Sequence, residues 1–322
     1  MEGNCHVIKL QTTLETSGLE MTARGESKLI SVVLGTLNRL PYLKAAVTSV
    51  RCSTTSLPLE IIVVDGGSTD GTLAWLARQQ DIITVVQHNV DVVDGKRVRK
   101  RSWGYFMNLG FKVAQGTLIC MISDDSILHP EALENGLQTY LKALENGVNV
   151  GAVAFRWRSY PEESQYRIGY TLGGRMFVNH GYYARDALSS VRWIEEEALK
   201  FYFADGDVCL RLAEAGYEVI CGENSYVEHF EIPKQHAPNV STELLNAEWA
   251  AYQDRWRHLQ GPDGVLDLGR FDYKSSPFDV ARIAKLIPPC VTRDLRLANA
   301  AQLRSKLRRS VSGAVKKLLP VW

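Results

Sequence analysis

EIIVVDGGSTDGT, residues 60–72, joins an unbroken apolar, β-branched run to a cluster of small and polar residues. The run reads as a strand buried on both faces. Asp65 sits where it ends. Gly66 and Gly67 follow, residues that let backbone approach a ligand closely and that tolerate positive φ. A Ser/Thr/Asp cluster then starts a helix predicted over 69–80. Strand, glycine turn and helix together are the building unit of an open α/β sheet.

The same unit recurs on both sides. LISVVLGTL (29–37) is a strand, and Pro41 opens the helical stretch PYLKAAVTSVRC at a first-turn position. DIITVVQHN (81–89) is a third strand. After a basic loop, DGKRVRKRS (94–102), come a helix over 103–116 and a fourth strand, TLICMISDD (117–125). A helix over 129–147 and a strand over 150–158 complete the series. Such alternation implies βαβ units and a mostly parallel sheet flanked by helices. Ligands of such sheets sit beyond the carboxyl ends of the strands. Those ends here are Thr36–Arg39, Asp65–Ser68 and Ser123–Asp125.

The alternation breaks over 159–200, which is rich in Tyr, Gly and Arg, and returns at FADGDVCLRLAEAGYEVICG (203–222) as helix then strand. Beyond about 240 the pattern is helical, with a loop at GPDG (261–264). The predicted organisation is a polar leader (1–28), an α/β domain (29–239) and a helical C-terminal extension (240–322).

Of 322 residues, 45% are hydrophobic and 23% charged, ordinary for a soluble globular protein. A net charge of +1 carries no nucleic-acid signature, so no nucleic-acid partner is expected. The six cysteines show no CxxC pair and no zinc-ligand spacing. They read as reduced thiols of a cytoplasmic protein. No run approaches the roughly 18 apolar residues of a membrane span. Residues 281–322 hold ten Lys/Arg and one acid, Asp294. Leu303, Leu307, Val311, Val315 and Leu318 recur there at helical spacing between Arg304, Arg308, Arg309, Lys316 and Lys317. Such a cationic amphipathic helix suits peripheral contact with the inner membrane face. It equally suits packing on the protein itself or a homo-oligomer interface.

SVVLGTLNR, EIIVVDGGSTDGT, GTLICMISDD and FADGDVCLRLAEAGYEV, in that order and spacing, resemble family 2 glycosyltransferases of the GT-A fold. The resemblance covers about residues 29–232. It implies an inverting transfer of a sugar from a nucleotide-sugar donor, UDP- or dTDP-linked, to a hydroxyl of a glycan or lipid-linked acceptor. It also implies a divalent cofactor, Mn²⁺ or Mg²⁺. Asp65 would contact the nucleoside and Thr36 would lie beside it. SDD would be a variant DxD motif, with Asp125 a metal ligand and Asp124 on the ribose or the metal's water shell. His229 would be a late metal ligand, with His180 and His236 weaker candidates. Arg97 would contact base or phosphate from the basic loop. Asp205 would be the general base that takes the acceptor proton.

Three positions depart from the family pattern: Gly66 where a second Asp is usual, Ser123 at the first acid of the motif, and Ala204 in place of Glu. A non-catalytic sugar-binding or scaffolding relative with a decayed site therefore stays open, and a sugar nucleotidyltransferase is a lower-ranked alternative. A Rossmann dehydrogenase is disfavoured, because no GxGxxG follows the first strand. Taken singly, each acidic site has a plain alternative. SDD can be a solvated turn, and Asp205 can be a helix N-cap.

Overall fold

The computed structural model describes residues 29–89, 92–93, 96–97, 101–230, 241–259, 270–289 and 291–293. The first half runs β1 (Ile30–Thr36), α1 (Leu40–Arg51), β2 (Leu59–Asp65), α2 (Thr72–Leu76), β3 (Ile82–Val86), β4 (Val92–Val93), β5 (Lys96–Arg97), α3 (Trp103–Val113), β6 (Leu118–Ser123), β7 (Ser126–Leu128) and α4 (Ala132–Glu145). The second half runs β8 (Val150–Tyr160), β9 (Gln165–Thr171), β10 (Arg175–Met176), β11 (Gly181–Ala184), α5 (Arg185–Ser190), α6 (Ala204–Glu214), β12 (Glu218–Phe230), α7 (Thr242–Arg255), β13 (Phe271–Ser275) and α8 (Val280–Leu286).

The fold is α/β, and its main sheet is mixed. Strands β3, β2, β1 and β6 lie side by side and parallel. β11 pairs antiparallel with both β6 and β8. β12 runs parallel to β8, β9 and β10 are antiparallel neighbours, and β13 adds antiparallel to β9. The stretch 159–200, which broke the predicted alternation, is where β9, β10 and β11 lie. They follow one another without intervening long helices, so the βαβ rhythm vanishes there.

The parallel strands read as continuous apolar runs because both faces are covered. Val33, Ile62, Phe111 and Met121 belong to one buried cluster, shared with α6 residues such as Val208. Val32, Leu34, Ile61 and Val63 belong to the other, with Leu43 and Val47 of α1 and Leu133 of α4. Each such fully buried aliphatic side chain contributes about 1.5–3 kcal/mol.

Helix α2 is shorter than the sequence predicts. Gly71 has φ of 97°, which no helix accommodates, so helical geometry begins at Thr72. Arg78 and Gln79 donate to carbonyls only three residues back, which tightens and ends the helix.

The C-terminal extension packs directly on the α/β body. Tyr252 and Trp256 are buried in the first cluster. Ile283, Ile287 and Val291 form a third cluster with Tyr42, Ile127 and Phe230. Besides its helices the extension carries β13. The predicted leader, the basic stripe over 303–318 and His236 lie outside the described residues. No helix among the described residues is long and apolar enough to cross a membrane.

Candidate active site

Parallel register sets the site. Thr36 of β1 is level with Asp65 of β2, and Gly35 is level with Ser123 of β6. The three strand ends named by the sequence therefore meet on one edge.

Asp65 is fully buried. Its Oδ1 accepts from the backbone N–H groups of Gly67 and Ser68, each at 2.7 Å. Its Oδ2 is buried with no hydrogen-bond partner among the described residues. Gly67 has φ of 95°, and a Cβ there would sit 2.6 Å from His88 Nδ1, so this turn requires glycine. The β1–α1 loop is tied to the same turn. Asn38 Oδ1 accepts from Thr69 N at 2.7 Å, and Ser68 Oγ accepts from Asn38 N at 2.8 Å.

Asp124 and Asp125 follow β6 as a buried turn, which rules out the solvated-turn alternative. Thr36 Oγ1 donates to Asp124 Oδ2 at 2.7 Å, so Thr36 orients a carboxylate. Arg39 Nη1 lies 3.0 Å from Asp124 Oδ1 and 3.2 Å from Asp125 Oδ2. His229 Nε2 lies 3.4 Å from Asp125 Oδ1. β12 makes this contact by pairing with β7, which sets His229 opposite Ser126.

Charge in this cluster is finely divided. Burial, with a further push from Asp125, raises Asp124 to about 6 against the opposing pull of Arg39 and Thr36. Burial also pushes Asp125 upward, but His229 and Arg39 outweigh it and hold Asp125 below the usual carboxylate range. His180 is buried, its ring centroid 5.3 Å from that of His229. Neither of its ring nitrogens has a hydrogen-bond partner among the described residues. Burial, reinforced by His229, lowers it to about 3, so it is neutral.

The donor set fits the divalent cation that the sequence implies. A carboxylate oxygen, buried and without a hydrogen bond at Asp125 Oδ1, faces an imidazole nitrogen across 3.4 Å. Mn²⁺ and Mg²⁺ accept such mixed ligands and complete their shells with water and substrate phosphate. Among the described residues no three or more His, Cys, Asp and Glu converge into a closed cage. The protein would therefore supply only part of the shell.

Asp205 lies in the first turn of α6. Burial pushes its carboxyl up to about 6, against the pull of the Gly206 N–H at 2.9 Å. Phe203, just before the helix, has φ of 62°, a left-handed conformation that costs a bulky residue about 1–3 kcal/mol. Helix α7 holds it. Glu248 is buried and accepts from the backbone N–H groups of Lys200, Phe201 (3.1 Å) and Tyr202 (2.6 Å). Tyr252 hydrogen-bonds Thr171, and its hydroxyl would lie 2.7 Å from a Cβ at residue 206, so glycine is needed there too. Trp256 Nε1 donates to Asp207 Oδ1 at 3.0 Å, and Arg211 Nε donates to Asp207 Oδ2 at 2.8 Å.

On β12, Glu228 stands next to His229. Its buried carboxylate accepts from Arg158 Nε at 2.8 Å, meets His129 Nε2 at 2.9 Å and accepts from the Tyr166 hydroxyl. Phe278, preceding α8, stacks on His129 with ring centroids 4.1 Å apart. Arg97 has its backbone in β5, and its side chain lies outside the described residues.

Sequence reasoning pointed to Thr36, Asp65, Asp124, Asp125 and His229, and the fold brings Thr36, Asp124, Asp125 and His229 into one contact network. It missed Arg39, Glu228, Glu248 and Tyr252. Arg39 did carry a signal, since it follows a strand end directly. The other three gain their meaning from partners 46 or more residues away.

A sheet of this order with a carboxylate pair at the end of its fourth long strand has the GT-A architecture of nucleotide-sugar-dependent transferases. The chain belongs to glycosyl transferase family 2, whose model matches residues 31–198, just over half of its length. It is 30% identical over 112 residues to an uncharacterized glycosyltransferase, alr2836, of Nostoc sp.. That match covers 34% of this chain and only 32% of the relative. Among solved structures, S. aureus TarS 1-349 in complex with UDP is similar with a TM-score of 0.48 and 15% identity, covering 70% of this chain and 65% of that one. The mannosyltransferase PcManGT from Pyrobaculum calidifontis, in complex with GDP-Man and Mn²⁺, is similar with a TM-score of 0.47 and 17% identity, covering 90% and 80%.

Proposed function

We propose that this chain is an inverting glycosyltransferase that moves a sugar from a UDP- or dTDP-linked donor to a hydroxyl of a glycan or lipid-linked acceptor. The observation that carries the reading is the Asp124–Asp125 pair. Two adjacent buried carboxylates sit at the carboxyl edge of the parallel strands with a cation held between them.

Asp65 Oδ2, an acceptor without a donor, receives an N–H of the nucleobase or a ribose hydroxyl. Thr36 fixes Asp124 so that its outer oxygen faces the ribose or a water. Asp125 and His229 would hold Mn²⁺ or Mg²⁺. When bound, the ion supplies positive charge to the leaving diphosphate. Arg97 contacts the base or a phosphate from the basic loop. Asp205 accepts the proton of the acceptor hydroxyl as its oxygen attacks the anomeric carbon. The new glycosidic bond forms as the bond from that carbon to the diphosphate oxygen breaks, and the electron pair leaves with the nucleoside diphosphate. A carboxyl near 6 is matched to this work at neutral pH, since it is ionised yet still basic. The basic C-terminal stripe would hold the protein, in the cytoplasm, at the inner membrane face near a lipid-linked acceptor.

Calorimetric titration of UDP and dTDP, with Mn²⁺ and then with EDTA, tests the reading. Metal-dependent binding of one nucleotide supports it, and its loss in Asp125→Ala locates the site. Asp205→Ala should retain that binding and lose transfer. Full transferase activity in Asp205→Ala would overturn the base assignment.

A further inference from the structure

Arg39 sits on both aspartates of the cleft, and the proposed reaction gives it no work. A single nitrogen, Nη1, contacts both carboxylates, at 3.0 Å and 3.2 Å. Of the remaining oxygens, Asp124 Oδ2 is engaged by Thr36, and Asp125 Oδ1 faces the His229 ring at 3.4 Å without a hydrogen bond. A divalent ion entering between the aspartates meets a permanent positive charge already there. Both cannot stay, because like charges at hydrogen-bond distance in a buried site repel strongly.

The side chain has somewhere to go. The two aspartate side chains are 4% and 11% exposed, whereas that of Arg39 is 22% exposed, so it reaches the cluster from its solvent side. Arg39 is also the N-cap residue of α1, at the carboxyl end of β1. That is where an α/β sheet of this kind receives phosphate groups. A guanidinium is a strong phosphate donor with five N–H groups in a planar fork.

We propose that Arg39 is a relay cation. It holds Asp124 and Asp125 together before the donor binds, and it transfers to the donor's diphosphate when a divalent ion takes its place. This rests on the reading above that Asp125 and His229 hold a metal beside a nucleoside diphosphate. Its consequence is thermodynamic. Metal alone binds weakly because it must displace Arg39, and the nucleotide gains a charged contact only once the metal has done so. Each ligand therefore tightens the other by the same factor, about tenfold or more.

The test is direct Mn²⁺ binding, by electron paramagnetic resonance and calorimetry, with no nucleotide and then with saturating UDP and dTDP. It compares the wild-type chain with Arg39→Gln and Arg39→Lys. The relay predicts that Arg39→Gln binds Mn²⁺ alone about tenfold more tightly and loses most of the coupling to nucleotide. Arg39→Lys, which keeps a charge, should stay close to wild type for Mn²⁺ alone. Unchanged Mn²⁺ affinity and unchanged coupling in Arg39→Gln would overturn the relay while leaving the metal site standing. If no protein takes up Mn²⁺ under either condition, the relay and the metal reading both fall. Melting curves of both variants check the fold, and if Arg39→Gln does not fold the Arg39→Lys coupling decides. A lysine presents one ammonium and no fork, so coupling should drop about severalfold, and full wild-type coupling would overturn the relay.

Discussion

The ring of Phe203 lies on the ring of Tyr252, centroids 5.3 Å apart and planes 21° from parallel. This contact joins a residue with left-handed backbone, two positions before Asp205, to the helix α7 of the C-terminal extension. The strain at Phe203 persists because α7 grips its loop through Glu248 as well. Glu248→Gln weakens three charge-assisted hydrogen bonds without changing shape. We expect kcat to fall about tenfold with donor affinity unchanged, since about 1–2 kcal/mol of loop positioning is lost. Steady-state kinetics paired with nucleotide calorimetry separate the two. A change in nucleotide binding equal to the change in kcat would refute the assignment.

Asp205, the proposed base, carries a pH signature. Its carboxyl is raised to about 6, chiefly by burial, so its ionised form is lost as pH falls through 6. Transfer kcat/KM should show an acidic limb near that value, and because Asp124 is also raised to about 6 the limb should become shallower, losing one ionisation, in the residual activity of Asp205→Asn. That substitution should lower kcat by about 10²–10⁴-fold. The stability sign is opposite. A raised carboxyl binds its proton more tightly folded than unfolded, so it favours the fold below about 4 and that benefit is lost as pH rises to 6. Asp205→Asn should therefore melt higher than wild type at pH 8, and closer to it at pH 4.

For Asp65 the prediction concerns binding alone. Removing its carboxylate takes away the acceptor proposed for the nucleoside and frees the Gly67 and Ser68 N–H groups. Asp65→Ala should weaken nucleotide binding about 10–100-fold, consistent with about 1.5–3 kcal/mol for a charged hydrogen bond. Gly66 offers a gain in the other direction. A Cβ there would come no closer than 3.4 Å to Leu37, so the position accepts a side chain. Gly66→Asp should fold normally and bind uridine nucleotides at least as tightly, and a calorimetric loss would show that Asp65 alone suffices.

Glu228 anchors the strand that carries His229. Burial alone would raise its carboxyl, but bonds from His129, Arg158 and Tyr166 outweigh burial and lower it. Its contribution is therefore present above its unfolded value near 4.5 and is lost as pH falls through the lowered folded value. Glu228→Gln leaves Arg158 buried without its counter-charge, which costs about 3–5 kcal/mol. The variant should melt well below wild type at pH 7, and the gap should narrow in acid. A constant gap from pH 7 to pH 3 would mean that packing, not charge, is what was lost.

How far the sequence reached can be read from particular residues. EIIVVDGG and TLICMISDD announced the parallel strands because both faces of each are buried, and a continuous apolar run is local information. Asp65 and Asp125 were legible for the same reason, since each stands where such a run stops. Tyr182, by contrast, is core: it is fully buried and donates to the Leu133 carbonyl. Its Tyr/Gly surroundings pair antiparallel, a pattern that leaves no helical spacer to detect. Glu248 and Glu228 act through partners 46 to 99 residues away, so nothing in their immediate neighbourhood marks them, whereas Arg39 is marked only by following a strand end.

The pairing of β13 with β9 reaches back across the chain, and the Arg156–Asp272 ion pair spans 116 residues. During synthesis, β1, β2, β3 and β6 can assemble as they emerge. β8 pairs with β11 before β12 arrives to complete it and to set His229 opposite Ser126, whereas Phe203 and the loop before Asp205 gain their contacts with α7 last. A ribosome-bound chain ending at residue 230 would carry every acidic residue of the site while lacking Glu248 and Tyr252. On the proposed reading of Asp205 as the base, such a chain would lack the contacts that hold the loop before it, so catalytic competence would arrive only once α7 has cleared the exit tunnel.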